Sequence, residues 1–163
     1  MSNADCILCT TPSKTPLFPS SYLSKESRCQ PFISAIGSWQ PSMSEIDPSL
    51  LHDGITAKGR YNPVTGEAKG VILVDDRDFG LENCGELVQS GLAAKDIVEL
   101  GEIIALRKGR GRPELLTKEH IEKINQFISE GFVIYKSIGV SLTDLTASNA
   151  VLDLSNKRRQ QHL

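Results

Sequence analysis

The sequence predicts an α/β fold built on a largely parallel sheet, with a helical segment at the carboxyl end. Three short apolar runs carry the sheet: Cys6-Ile7-Leu8-Cys9, Phe32-Ile33-Ser34-Ala35-Ile36 and Val71-Ile72-Leu73-Val74. Each is nearly continuous rather than alternating, the pattern of a strand buried on both faces. Beyond Asp76 the apolar spacing turns helical, so strands followed by helices point to layered α/β architecture.

The first run ends in Thr10-Thr11, the second in Gly37-Ser38-Trp39, and the third in Asp75-Asp76. In open parallel sheets, ligands sit outside the carboxyl ends of the strands, which makes these positions the ones to watch. A proline- and serine-rich stretch, 12–27, reads as loop with a short turn of helix. Asp47-Pro48 opens a helix, as an N-cap followed by proline at the first helical position, and Gly54 is placed to end it. Residues 56–70 are turn-rich and read as an exposed loop or hairpin.

Leu81, Cys84, Leu87 and Val88 share a helical face that Gly91 ends. Asp96 with Glu99 reads as a capping box for a second helix carrying Ile97, Leu100 and Ile104. A basic loop, 107–113, follows. Thr117 caps a third helix with Ile121, Ile124 and Ile128 on one face, stopped by Gly131. Phe132-Val133-Ile134-Tyr135 is a strand or buried segment; 140–154 is helical, and 156–163 is a polar, frayed tail.

Composition bounds the rest. The chain has 163 residues, 39% hydrophobic and 23% charged, enough for a real core. A net charge of -2 gives no general attraction to nucleic acid or anionic membrane. No apolar run approaches a membrane span, and the first residues lack the basic start of a signal peptide. Four cysteines without a regular framework read as reduced thiols, so the expected compartment is the cytoplasm.

Four segments together resemble one family. They are Ala4-Asp5-Cys6-Ile7-Leu8-Cys9-Thr10-Thr11-Pro12-Ser13-Lys14-Thr15-Pro16, and Ala35-Ile36-Gly37-Ser38-Trp39-Gln40-Pro41-Ser42-Met43-Ser44-Glu45-Ile46-Asp47. Val74-Asp75-Asp76-Arg77 is the third, with Cys84-Gly85-Glu86-Leu87 and the run 96–103 behind it. Val133-Ile134-Tyr135-Lys136-Ser137-Ile138-Gly139 is the fourth. In this order they are similar to the ornithine cyclodeaminase/mu-crystallin family, over nearly the whole chain.

The resemblance implies a partial Rossmann-like domain. Residues 1–131 would be the second half of an NAD(P)-binding domain, and 132–163 the terminal segment returning to a substrate and dimerisation domain. The first half, with its glycine turn, is expected upstream, so the site for NAD or NADP is incomplete in this chain. The implied partners are a small imine or amino-acid substrate and a second copy of the chain, with no membrane and no nucleic acid. Thr10, Thr11 and Ser13 match the loop that approaches the dinucleotide. Ile36, Gly37 and Ser38 match the backbone edge beside the nicotinamide, and Ser137 the serine arriving from the carboxyl-terminal segment. No catalytic residue is assigned.

One position departs from the family. Where cyclodeaminases carry a proton-handling aspartate, this chain has Trp39, whose indole N–H does not titrate. The expected activity is therefore imine reduction or amino-acid oxidation, with Trp39 on the substrate side. The competing reading is an inactive truncated chain or a mu-crystallin-like ligand binder.

Other motifs carry less. Arg110-Gly111-Arg112-Pro113 matches the core of a minor-groove hook, but thin basic flanks and an acidic chain favour a plain helix-to-helix loop. Gly109-x-Gly111-x-x-Glu114 follows a helix and ends in glutamate, so it is no dinucleotide loop. Cys6-x-x-Cys9 has no second ligand pair and reads as two core cysteines on a strand. The acids at 75–78 read as a helix N-terminus.

Overall fold

A computed structural model of the chain describes residues 4–23, 31–56, 60–130, 132–139 and 141–160. Its strands are β1 (Cys6–Cys9), β2 (Phe32–Ala35), β3 (Ile72–Val74), β4 (Ile97–Glu99) and β5 (Ile134–Lys136). They form one five-stranded sheet in the order β1-β2-β5-β3-β4, and every pairing is parallel. The helices are α1 (Pro48–Thr56), α2 (Arg77–Asn83), α3 (Gly85–Ser90), α4 (Leu100–Arg107), α5 (Lys118–Glu130) and α6 (Ser141–Gln160).

The strand alternation sends side chains to two cores. Ile7, Cys9, Ile33, Ala35, Ile72, Val74, Ile97 and Ile134 point to the first, against Leu50, Leu51 and Ile55 of α1 and Leu87 of α3. Leu73, Val98 and Val133 point to the second, against Ile103 and Leu106 of α4 and Ile124 and Phe127 of α5. The first layer backs all five strands. The second backs only β3, β4 and β5, and on that side β1 and β2 leave Leu8 70% and Phe32 38% exposed.

Several sequence expectations need correction. Ile97 and Val98 do not start a helix; both are buried in β4, paired with Ile72 and Leu73. The capping box lies one turn later, where Glu99 and Glu102 exchange side-chain and backbone bonds at the start of α4. Gly54 does not end α1, which runs to Thr56. A side chain on Gly70 would meet the Gly54 carbonyl oxygen at 2.1 Å, and Gly70 donates to the Ile55 carbonyl at 2.9 Å. These glycines let the chain cross the helix end closely.

The expected single helix through Leu81 to Val88 is two helices, α2 and α3, broken at Cys84 in an extended conformation. The break lets Gly85 lie against the loop before α1, where a Cβ would stand 1.7 Å from the Met43 carbonyl oxygen. Gly91 does end α3, in the left-handed conformation. Asp47 caps the start of α1 through Ser49, and Thr117 serves the start of α5 through His120. Gly131 lies outside the described residues.

The turn-rich segment is less exposed than expected. Asn62 and Pro63 are buried, and the Asn62 side chain accepts from the amides of Val64 and Thr65. His120 of α5 holds this turn, contacting the Pro63 carbonyl at 2.8 Å through Nε2 and the Tyr61 hydroxyl at 2.5 Å through Nδ1. The segment 156–160, expected to fray, continues α6 as helix.

β5 is the middle strand, so the part of 132–139 that forms it belongs to the sheet, whereas α6 stands off it. The described side chains 144–159 are all exposed. Among the described residues no helix is long and apolar enough to cross a membrane.

Candidate functional site: the carboxyl edge of the sheet

Because every strand runs the same way, Thr10-Thr11, Ile36-Gly37-Ser38, Asp75-Asp76 and Ser137-Ile138 all emerge at one edge. Main-chain bonds continue the ladder past the strand ends. Ile36 donates to the Cys9 carbonyl and Ser137 to the Ala35 carbonyl, each at 3.0 Å. The loops after β1, β2 and β5 are thereby held side by side.

The approach is closest at Gly37. A Cβ there would lie 1.9 Å from the Thr11 carbonyl oxygen and 2.6 Å from Glu45 Oε1, so no larger residue fits. Glu45, wholly buried, fills the space below. Its Oε1 accepts from the Thr11 amide and, at 3.1 Å, from the Thr11 hydroxyl; its Oε2 accepts from the Gly37 amide at 2.6 Å.

Ser38 points inward. It is 1% exposed and donates its hydroxyl to Glu86, which also accepts from the amides of Glu45 at 2.5 Å and Ile46 at 3.2 Å. Lys136, the last residue of β5, lies with Nζ 3.9 Å from both carboxylates. Burying three charges is costly unless each is paired and hydrogen-bonded; the carboxylate oxygens all find donors, whereas Lys136 Nζ is paired only at ion-pair distance and has no hydrogen-bond partner among the described residues.

The remaining residues face different ways. Thr10, Thr11, Ile36 and Trp39 are exposed, Ile36 at 45% and Trp39 at 56%. Ser13 is half-buried; its hydroxyl donates to the Thr15 carbonyl, and its own carbonyl accepts from Ser44. Ser137 is buried and donates to Asp75 at 2.9 Å, whose other oxygen accepts from the Ile138 amide at 2.8 Å. Asp76, not Asp75, caps α2, accepting from Phe79. The acids at 75 and 76 thus divide between tying the β5 loop and starting a helix.

Two thiols line the buried side. Burial first, then the nearby Glu45 and Glu86, push Cys9 up to about 11, against the opposing pull of Lys136. Burial likewise pushes Cys84 up to about 12, again with Lys136 opposing. Both therefore stay protonated near neutral pH and are not nucleophiles. Of the two cysteines expected in the core only Cys9 is there; Cys6, on the opposite face of β1, is exposed. The basic loop 107–113 is exposed and joins α4 to the turn before α5.

Glu45, Glu86 and Lys136 were not singled out by sequence reasoning. Charged residues default to the surface. The available signal was Lys136 directly continuing an apolar strand, with two glutamates inside otherwise uncharged runs.

An all-parallel sheet with its strand-end loops gathered at one edge defines the class: an α/β layer of Rossmann-like kind. No protein-family model matches the chain. Individual proteins do. A Delta(1)-pyrroline-2-carboxylate reductase of Bacillus cereus is 28% identical over 164 residues, which is 97% of this chain and 39% of the relative. Mouse ketimine reductase mu-crystallin is 25% identical over 153 residues, 94% of this chain and 36% of that protein. A solved probable ornithine cyclodeaminase from Bordetella pertussis superposes with a TM-score of 0.58 at 30% identity, covering 96% of this chain and 41% of its own. The chain is thus similar to members of the ornithine cyclodeaminase/mu-crystallin family, and it spans about two-fifths of the length of the relatives it matches.

Proposed function

We propose that this chain forms the nicotinamide side of a dinucleotide site in an NAD(P)-dependent oxidoreductase. Its type is imine reductase or amino-acid dehydrogenase rather than true ornithine cyclodeaminase. The observation that carries the reading is the gathered edge, with Gly37 pinned against the Thr11 carbonyl and Thr10, Ile36 and Trp39 turned outward.

The residues fit a flat, partly apolar ring. The absent side chain at Gly37 keeps the edge low, Ile36 offers apolar surface, and the threonine hydroxyls can bond amide or ribose groups. When bound, the nicotinamide supplies or takes the hydride. The work of this chain is to position it, since hydride transfer depends on orientation more than on a protein base. Ser137, fixed by Asp75, shapes the loop next to Ile36 and Gly37. Trp39 has no proton to exchange; its exposed indole would cover an apolar part of the substrate instead. A cyclic imine or amino acid is the substrate class, and a homodimer the working form.

The test is reduced-nicotinamide consumption by the purified protein, offered cyclic imino acids such as Δ1-pyrroline-2-carboxylate and, separately, ornithine. Imine-dependent loss of NADH or NADPH with no ornithine cyclisation is expected. No turnover with any imine or amino acid would contradict the oxidoreductase reading.

A second reading is ligand binding without turnover. It is favoured by Trp39, exposed at the carboxyl edge, whose indole N–H cannot exchange a proton with a substrate. Nicotinamide fluorescence that responds to the protein while absorbance stays constant would support it.

A further inference from the structure

The three charges under the edge are among the largest fully buried side chains described, and they occupy one place. Glu45 binds the loop after β1 through Thr11 and the loop after β2 through Gly37. Glu86, on α3, binds the loop after β2 through Ser38 and the backbone at Glu45 and Ile46. Lys136 brings in the end of β5, at 3.9 Å from each carboxylate. An apolar cluster of the same volume would pack the strand ends at least as stably. What it could not do is hold the Thr11 and Gly37 amides at fixed positions, because only directional acceptors do that.

We propose that Glu45 and Glu86, with Lys136 as their shared counter-charge, are positioning residues that set the spacing of the Thr11, Gly37 and Ser38 loops. What those loops receive rests on the cofactor reading above; the positioning itself does not. None of the three reaches the surface, so they act through the loops and not on substrate.

Glu45→Gln tests this on the whole chain. It keeps shape, but its amide nitrogen donates, so one of the two loop amides loses its acceptor. By nuclear magnetic resonance, hydrogen exchange at Thr11 or Gly37 should speed up about ten-fold or more, with Ile33 in the sheet unchanged. NADH affinity should fall in parallel. Ile124→Val, in the core on the other side of the sheet, serves as a control for general destabilisation and should leave NADH affinity intact.

Exchange at both amides within about two-fold of wild type would overturn the proposal. So would an equal loss of NADH affinity in Ile124→Val. Should Glu45→Gln not fold, Ser38→Ala replaces it, with faster exchange at the Glu45 and Ile46 amides expected and unchanged exchange counting against. If the wild-type chain binds no NADH, the cofactor reading fails while the exchange result still decides the positioning role.

Discussion

At the scale of single residues, two glycines with opposite surroundings make a sharp comparison. Gly37 has backbone and a carboxylate where a Cβ would go, so Gly37→Ala must push the two loops apart. It should cost about 1–3 kcal/mol, the usual range for overpacking, measured by urea denaturation. Gly101 sits in α4 with nothing near its missing Cβ and an ordinary helical backbone. Gly101→Ala should therefore stabilise by about 0.5–1 kcal/mol.

The thiols give a pH dependence whose sign is fixed. Cys9 and Cys84 ionise at about 11 and 12 in the fold, above the ordinary thiol value of 9.0. The unfolded chain therefore loses these protons first, and stability falls as pH rises from about 9 toward 12. Denaturation midpoints across that window should decline, and Cys84→Ser should flatten the decline. An unchanged slope in that variant would remove Cys84 from the account.

Single residues also show where sequence reading stopped. Trp39 and Gly37 were legible because a motif places them. The Glu45, Glu86 and Lys136 cluster was not, since each charge is held in the core partly through partners far along the chain, 34 positions for Thr11 with Glu45 and 41 for the Glu45 amide with Glu86. No local pattern reports such a pairing.

At the scale of elements, β1, β2 and β3 were legible because strands buried on both faces read as unbroken apolar runs. β4 was not. Its three residues run straight into α4, so Ile97 satisfies both a strand and a helix pattern, and the pairing with β3 decides. The break between α2 and α3 was hidden for a similar reason: Cys84 and Leu87 keep helical spacing although the chain turns to seat Gly85 on Met43.

Glu99 marks the junction of β4 with α4. It accepts from the amide of Arg77 at 3.0 Å and forms half of the capping box with Glu102. Glu99→Ala should cost about 0.5–2 kcal/mol, the range for losing a helix cap. A thermal melt of the variant checks it, and no change would show that Glu102 and Arg77 suffice.

At the scale of the whole molecule, the two layers are unequal. Helices α1 and α3 back the entire sheet, while α4 and α5 back only part, leaving Leu8 of the terminal strand and Phe32 open on that face. In α6, Leu145, Val151, Leu152 and Leu154 are each 58% exposed or more. Open apolar surface beside a strand edge that is unpaired among the described residues favours association. Sedimentation velocity should show self-association that grows with concentration, and Leu8→Glu should weaken it. A strictly monomeric wild type at all concentrations would contradict this.

The cofactor placement proposed above uses the same asymmetry. The complete layer supports the carboxyl edge, where Glu45 and Glu86 bond to the loops after β1 and β2. Titrating isotope-labelled protein with NADH and mapping the amide shifts tests this placement most directly. Perturbations concentrated at Thr10, Thr11, Ile36, Gly37 and Ser137, with α5 and residues 107–113 silent, are predicted. Shifts centred on residues 107–113, or none at the carboxyl edge at saturating NADH, would contradict it.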